Sequence, residues 1–146
     1  MPSKALKVTL AILIAIGLFY FGYSYNPNLK NTSYTASQSN LTVSMMIDDG
    51  KAITGFTNQT IPANDPTVFG LLKQVTTTNN IILDYTPAAE TSFNAVFVKQ
   101  IGDKKNGAGG AYWQYWVGST QPQVSADKYI LQNGETVLWT FRPSQM

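Results

Sequence analysis

The residues able to do chemistry are few, and their types narrow the possibilities first. The 146-residue chain has no Cys and no His. It therefore lacks thiol nucleophiles, the commonest general base, and the usual ligands of zinc, copper and haem. The adjacent carboxylates Asp48 and Asp49 could suggest a metal site. Successive residues of a strand point to opposite faces, however, so a solvated turn is the expected reading. Asp84, Glu90, Asp103, Asp127 and Glu135 fall on different elements, and no nucleophile stands beside a base in the sequence. The expectation is a protein that is not an enzyme and needs no cofactor. The glycines of Gly102–Gly110 do not follow a strand and open a helix, so they do not form a phosphate-binding loop. What remains is an aromatic run, Tyr112-Trp113-Gln114-Tyr115-Trp116-Val117. Read as a strand, it puts Trp113, Tyr115 and Val117 on one face and Tyr112, Gln114 and Trp116 on the other. One set should be core. The second should face solvent, a loop or a partner, and exposed Tyr and Trp beside a Gly-rich loop would make a stacking platform for a planar ligand, a sugar or a protein. The plainer alternative is that loops bury both sets.

Charge excludes another class. With Lys4 and Lys7 set aside, eight basic residues balance eight acidic ones, and no basic stripe offers itself to nucleic acid.

Those two lysines precede an uncharged apolar run from Val8 to Tyr25. About 18 residues at 1.5 Å each nearly span a hydrocarbon core. Tyr20, Tyr23 and Tyr25 would sit in the aromatic belt, and the positive-inside rule places the N-terminus in the cytoplasm. Residues 1–25 thus read as a transmembrane anchor, with membrane contact through residues 8–25. A cleaved signal peptide, with a Val8–Phe21 core and a Gly22-Tyr23-Ser24 cleavage site, is the alternative. Both put the remainder outside the cytoplasmic membrane. No Cys follows the run, which excludes a lipoprotein. Residues 26–40 are a polar linker. Asn31, Asn40 and Asn58 begin glycosylation triplets, which a chain rich in Asn, Ser and Thr contains by chance.

Residues 41–142 carry the folded domain. Leu41, Val43, Met45 and Ile47 alternate along a strand. Asp49-Gly50 suits a two-residue hairpin turn, with Lys51–Thr57 as the return strand. Asp65 is a good N-cap, and Pro66 suits the first helical position. Val68, Leu71, Leu72 and Val75 form one apolar stripe, and the helix ends around Thr76–Asn80. Ile81–Thr86 and Phe93–Ile101 read as strands, the second apolar on both faces at Ala95–Val98, as in a central strand. Gly102–Gly110 reads as a mobile loop. The last strand is Glu135–Phe141, after an Asn133-Gly134 turn. A hairpin, one helix and then several strands imply an α+β fold, a β-grasp with the helix over a mixed sheet.

Three segments carry a resemblance. Trp113-Gln-Tyr-Trp-Val-Gly118 is similar to the Trp-x-Tyr-x-Val-Asn-Gly strand of the transcobalamin C-terminal-like domain family. Ala126–Tyr129 followed by Leu131–Val137 resembles its closing motif, and Thr67–Lys73 its early helix. The resemblance spans Leu41 to Arg142 and implies a β-grasp domain, anchored outside a microbial cell, of mostly unknown function. In transcobalamin and intrinsic factor the similar domain caps a corrinoid held mainly by a helical domain, so capture of cobalamin is the alternative function implied. Val117 runs directly into Gly118 where the family has Asn, and the 146 residues hold no counterpart of that helical domain. The residues of the aromatic strand read as candidate ligand contacts are Tyr112, Gln114, Trp116, Trp113 and Tyr115.

Overall fold

The computed structural model describes residues 40–143. The anchor or signal reading of residues 1–25, the linker up to residue 39 and the triplet at Asn31 lie outside the described residues. Among the described residues no helix is long and apolar enough to cross a membrane.

Alternation of apolar and polar residues produces β1, Leu41–Asp48, with Val43, Met45 and Ile47 buried. It pairs antiparallel with β2, Ile53–Ile61, across a register shift between Val43 and Met45. The connection is longer than the two-residue turn expected. Asp48 pairs with Ile53, leaving Asp49–Ala52 as a four-residue loop, and β2 begins two residues later than predicted and runs on to Ile61. Side chains decide this. The Asp49 Oδ1 accepts from the backbone N–H groups of Lys51 and Ala52, and the Asp48 Oδ1 accepts from that of Gly50. Acidic side chains that bond the backbone ahead of them favour such a loop over the tighter turn.

The single α-helix among the described residues, α1, spans Val68–Thr78. Its cap differs from the expectation: Thr67, not Asp65, is the N-cap, and its Oγ1 accepts from the Gly70 N–H at 2.8 Å. Pro66 therefore lies outside the helix. The cause is tertiary. Leu131 donates its N–H to the Pro66 carbonyl, and Thr67 bridges to Ile130, which holds both residues extended. The first helical N–H groups of Val68 and Phe69 donate to the carbonyls of Tyr129 and Ala126. The Ala126–Leu131 segment thus satisfies donors that a helix end leaves free. Asp65 takes other work, accepting from the Thr67 hydroxyl and pairing with Lys73 at 2.8 Å.

After α1 come β3, Leu83–Thr86; β4, Phe97–Ile101; β5, Lys104–Lys105; β6, Ala111–Val117; and β7, Thr136–Pro143. β3 and β4 are shorter than predicted, and the expected 102–110 loop contains β5 and a 3-10 turn at Ala108–Gly110. β4 is the middle strand of a three-stranded sheet, β3-β4-β5. It is not apolar-buried on both faces, since Phe97 is 45% exposed. The Asn133-Gly134 turn is present, with Gly134 at φ +85°.

The larger sheet has the order β2-β1-β7-β6. It is mixed, because β1 and β7 run parallel while the other pairs are antiparallel. The result is an α+β arrangement in which one helix packs on a mixed sheet. Val68, Leu71, Leu72 and Val75 of α1 share one core with Val43 and Met45 of β1, Val98 and Ile101 of β4, and Val137 of β7.

Candidate functional site

Strand β6 is an edge of the larger sheet, and its two faces meet different surroundings. On the outer face Tyr112 is 43% exposed, while Gln114 and Trp116 are half-buried. Register places Gln114 opposite Thr140 and Tyr112 opposite Arg142. Beyond them Asp48 accepts from the Thr140 hydroxyl at 3.2 Å and the Arg142 guanidinium at 3.1 Å. Burial pushes the Asp48 carboxyl up, but the bonds from the Gly50 N–H, Arg142 and Thr140 hold it below its ordinary value. Asp48 and Asp49 are thus engaged by the turn backbone and by β7, as a structural pair of residues facing apart.

The inner face carries Trp113 and Tyr115, both buried. They do not offer the open stacking surface considered for them. The Trp113 indole Nε1 donates to the Lys104 carbonyl at 2.9 Å, and its ring lies 5.2 Å from Phe141. The Tyr115 hydroxyl donates to the Val124 carbonyl at 2.6 Å, and its ring lies 5.5 Å from that of Trp139. Burial pushes the Tyr115 hydroxyl up to about 12, helped by the negative charges available on Tyr129 and Asp127.

Trp113 and Tyr115 nevertheless form one wall of an opening. Between β4 and β6 lies a cleft of about 150 Å³, lined by Phe97 and Val98 on one side, Trp113 and Tyr115 on the other, and Ser125 and Trp139. Its existence follows from how the two sheets fail to join. Asn106 bridges β4 to β6, donating its Nδ2 to the Val98 carbonyl at 2.7 Å and accepting from the Trp113 N–H on Oδ1 at 2.8 Å. At another point Asp127 replaces a strand partner, accepting from the Val96 N–H at 3.1 Å. Side chains stand where ladder bonds would otherwise run. The Trp113 N–H turns outward to Asn106, and the Val117 N–H turns outward to the Thr120 carbonyl. By the antiparallel alternation the Tyr115 N–H between them also faces away from β7.

The polar groups at the cleft are anchored. The Ser125 hydroxyl donates to Asp127 Oδ1 at 2.6 Å, and Lys128 pairs with the same carboxylate at 3.1 Å. Burial raises the Asp127 carboxyl, yet Ser125, the Val96 N–H and Lys128 bring it below its ordinary value. A carboxylate so stabilised is a weak base. The remaining acids are dispersed, as their places in the sequence imply: Asp84 pairs with Lys99 at 3.0 Å, and Glu135 accepts from the Tyr129 hydroxyl at 3.0 Å. Among the described residues no three His, Cys, Asp or Glu cluster as metal ligands.

Sequence reasoning missed Phe97, Asn106, Asp127 and Trp139 as parts of one place. The alternation of Val137, Trp139 and Phe141 put Trp139 on the inner face of its strand, but only the register opposite Tyr115 brings it to the cleft.

Comparison with known proteins bears on fold more than on activity. A family model described as a domain of unknown function, DUF4430, matches residues 65–142. No curated protein matches the chain by sequence. A crystal structure from Ruminococcus gnavus ATCC 29149, of a protein proposed to bind metal, superimposes with a TM-score of 0.54 at 13% identity. That match covers 72% of this chain and 99% of that one. Haptocorrin in complex with Cbi superimposes with a TM-score of 0.58 at 19% identity, covering 72% of this chain and 26% of haptocorrin. The chain thus spans about a quarter of haptocorrin's length. At these identities the likeness is one of fold alone.

Proposed function

The chain belongs to the DUF4430 family of domains of unknown function, and we propose that it acts as a non-catalytic binding module held on the outer side of a cell membrane. The observation that carries the binding reading is the cleft between β4 and β6, an aromatic-walled opening with Phe97 exposed beside it. Pockets with apolar walls and a few placed polar groups are where small ligands bind. The outer face of β6, with Tyr112, Gln114 and Trp116, is a second surface for a protein or glycan. Parallel pairing of β1 with β7 beside a hairpin and one helix supports a β-grasp architecture. The apolar Val8–Tyr25 run behind Lys4 and Lys7 supports single-pass anchoring with the domain outside. The lack of His and Cys, and the occupation of Asp48, Asp84 and Asp127 by structural partners, support the absence of catalysis.

Native mass spectrometry of the full chain in mild detergent, mixed with a panel of small neutral aromatics and amides, tests the cleft. A one-to-one adduct is expected that Phe97→Glu abolishes and Tyr112→Ala leaves intact. Adducts indifferent to Phe97→Glu would move the site elsewhere. Protease accessibility of the tagged chain in intact cells tests the topology, and recovery wholly in cytosolic extract would refute the tether.

Capture of a corrinoid is the second reading, favoured by the likeness to haptocorrin in complex with Cbi. Cobinamide or cobalamin at micromolar concentration should then change its visible spectrum on mixing with the chain. An unchanged spectrum removes this reading.

A further inference from the structure

Strand β2 is the other edge of the larger sheet, and alternation decides which of its backbone groups point outward. Ser44 of β1 donates its N–H to the Glu135 carbonyl, on the β7 side. Met46 and Asp48 share that parity, so their backbone groups also face β7 and not β2. Their partners on β2 are Gly55 and Ile53. The N–H and C=O groups of Ile53 and Gly55 therefore point away from β1, out of the edge of the sheet. Nothing among the described residues bonds them. Both residues are exposed, Ile53 at 66%.

Further along, the chain caps the same edge itself. Gln59 donates to the Thr57 carbonyl at 2.9 Å, and Gln74 of α1 donates to the Thr60 carbonyl at 3.0 Å. Asn58, at a left-handed φ of +52°, sits in the bulge that the register shift creates. Sheets protect their edges with such devices, and with charge or proline. Ile53-Thr54-Gly55-Phe56 has none of them.

The open stretch fits its own copy. A strand paired with itself about a two-fold axis meets its own sequence reversed. Centred on Thr54, that pairing sets Ile53 opposite the second copy's Gly55, and Gly55 opposite its Ile53. Each such pair exchanges both of its N–H···O bonds. The side chains agree. Ile53 and Gly55 lie on the outer face of the sheet, where Gly55 is opposite Met46. The large, exposed Ile53 then falls over a glycine whose added Cβ would meet nothing within 4 Å. Lys51 falls near Thr57 and not near its own copy, so like charges do not meet. We infer that β2 pairs antiparallel with β2 of a second copy of this chain, centred on Thr54, and so joins two sheets edge to edge.

The chain has no Cys, so a single introduced cysteine reports the register cleanly. Thr54 faces its own copy in a non-hydrogen-bonded pair, with Cα atoms about 4.5 Å apart and within disulfide reach. Ile53 is two residues out of register with its copy, about 8–9 Å away and beyond that reach. Under mild oxidation of the full chain in detergent, Thr54→Cys should cross-link at least about tenfold faster than Ile53→Cys. Sedimentation of the unmodified chain should show a dimer whose share rises with protein concentration. Gly55→Pro removes an outward N–H that no internal bond uses, and Ile53→Lys puts a charge on the edge. Each should shift the chain to monomer with little change in Tm, and Ile53→Lys decides alone if Gly55→Pro does not fold. Equal cross-linking at positions 53 and 54, or a dimer that survives both substitutions, would overturn the inference. So would a chain that stays monomeric at every concentration, the result expected if this edge receives a strand of another protein.

Discussion

Asn106 bridges β4 and β6 with one side chain, and replacing it gives a sharp test of the cleft. Its amide makes two bonds to backbone groups of different strands, to the Val98 carbonyl and from the Trp113 N–H. Alanine in its place leaves both groups without a partner at a half-buried seam. Each orphaned group costs about 1–3 kcal/mol, and access of water through the cleft holds each near the lower end. The expected total is about 2–3 kcal/mol, a large share of a marginal fold. For a domain of this size that corresponds to a fall in Tm on the order of 10–20 °C. Urea unfolding should show a lower midpoint with an unchanged slope. Asn106→Asp refines the test. One carboxylate oxygen can still accept from Trp113, but the other faces the Val98 carbonyl, acceptor against acceptor. Protonation turns that oxygen into a donor, so the folded state raises the carboxyl above its unfolded value. The native form then binds the extra proton, and relative stability is retained at low pH and lost as pH rises through the folded value. The Asp variant should approach wild type near pH 4 and the alanine deficit at pH 7. Each variant must be compared with wild type at the same pH, because Asp48 and Asp127 are depressed in the fold and wild type itself loses stability in acid. An alanine cost below about 0.5 kcal/mol, or an Asp deficit that does not shrink on acidification, would show that Asn106 does not bridge the strands.

Gly70→Ala should destabilise, although alanine favours helix by about 1 kcal/mol over glycine. An added Cβ would lie 2.3 Å from the Asp65 carbonyl oxygen and 2.7 Å from its carboxyl carbon. That backbone is held by the Asp65 N–H to Pro62 bond, so a net loss of about 1–3 kcal/mol is expected by thermal unfolding. A gain in Tm would mean that the 62–65 loop does not approach the helix so closely. At alkaline pH the raised Tyr115 hydroxyl governs: its contribution is whole below about pH 10 and lost as pH rises toward 12. Tyr115→Phe should flatten stability over that window, and equal slopes for the two proteins would contradict the burial of the phenol.

Much of the architecture was legible because it rests on period. The alternation in β1 and β6 and the i, i+3, i+4, i+7 stripe of α1 depend only on which face each residue takes, and the buried sets followed from it. Local turn chemistry was legible only in part. Asn133-Gly134 forms its turn, with the Asn133 side chain accepting from the Thr42 N–H. Asp49-Gly50 does not form the two-residue turn, because Asp48 and Asp49 both bond the backbone ahead of them. The helix cap was misplaced for a different reason. Asp65 and Thr67 are both competent caps, and the choice is made by Leu131 and Ile130 holding Pro66 and Thr67 extended.

By itself the sequence determined the inventory: no thiol, no imidazole, a balanced charge, and an aromatic strand with two unlike faces. Those facts are properties of residue type and spacing, and no folding can change them. The cleft was decided only by tertiary structure. Phe97, Asn106, Tyr115, Asp127 and Trp139 are scattered along the sequence. They meet because two sheets approach without sharing a ladder, and because register sets Trp139 opposite Tyr115. No local pattern encodes a gap between strands, since a gap is a relation between elements and not a preference of any one of them.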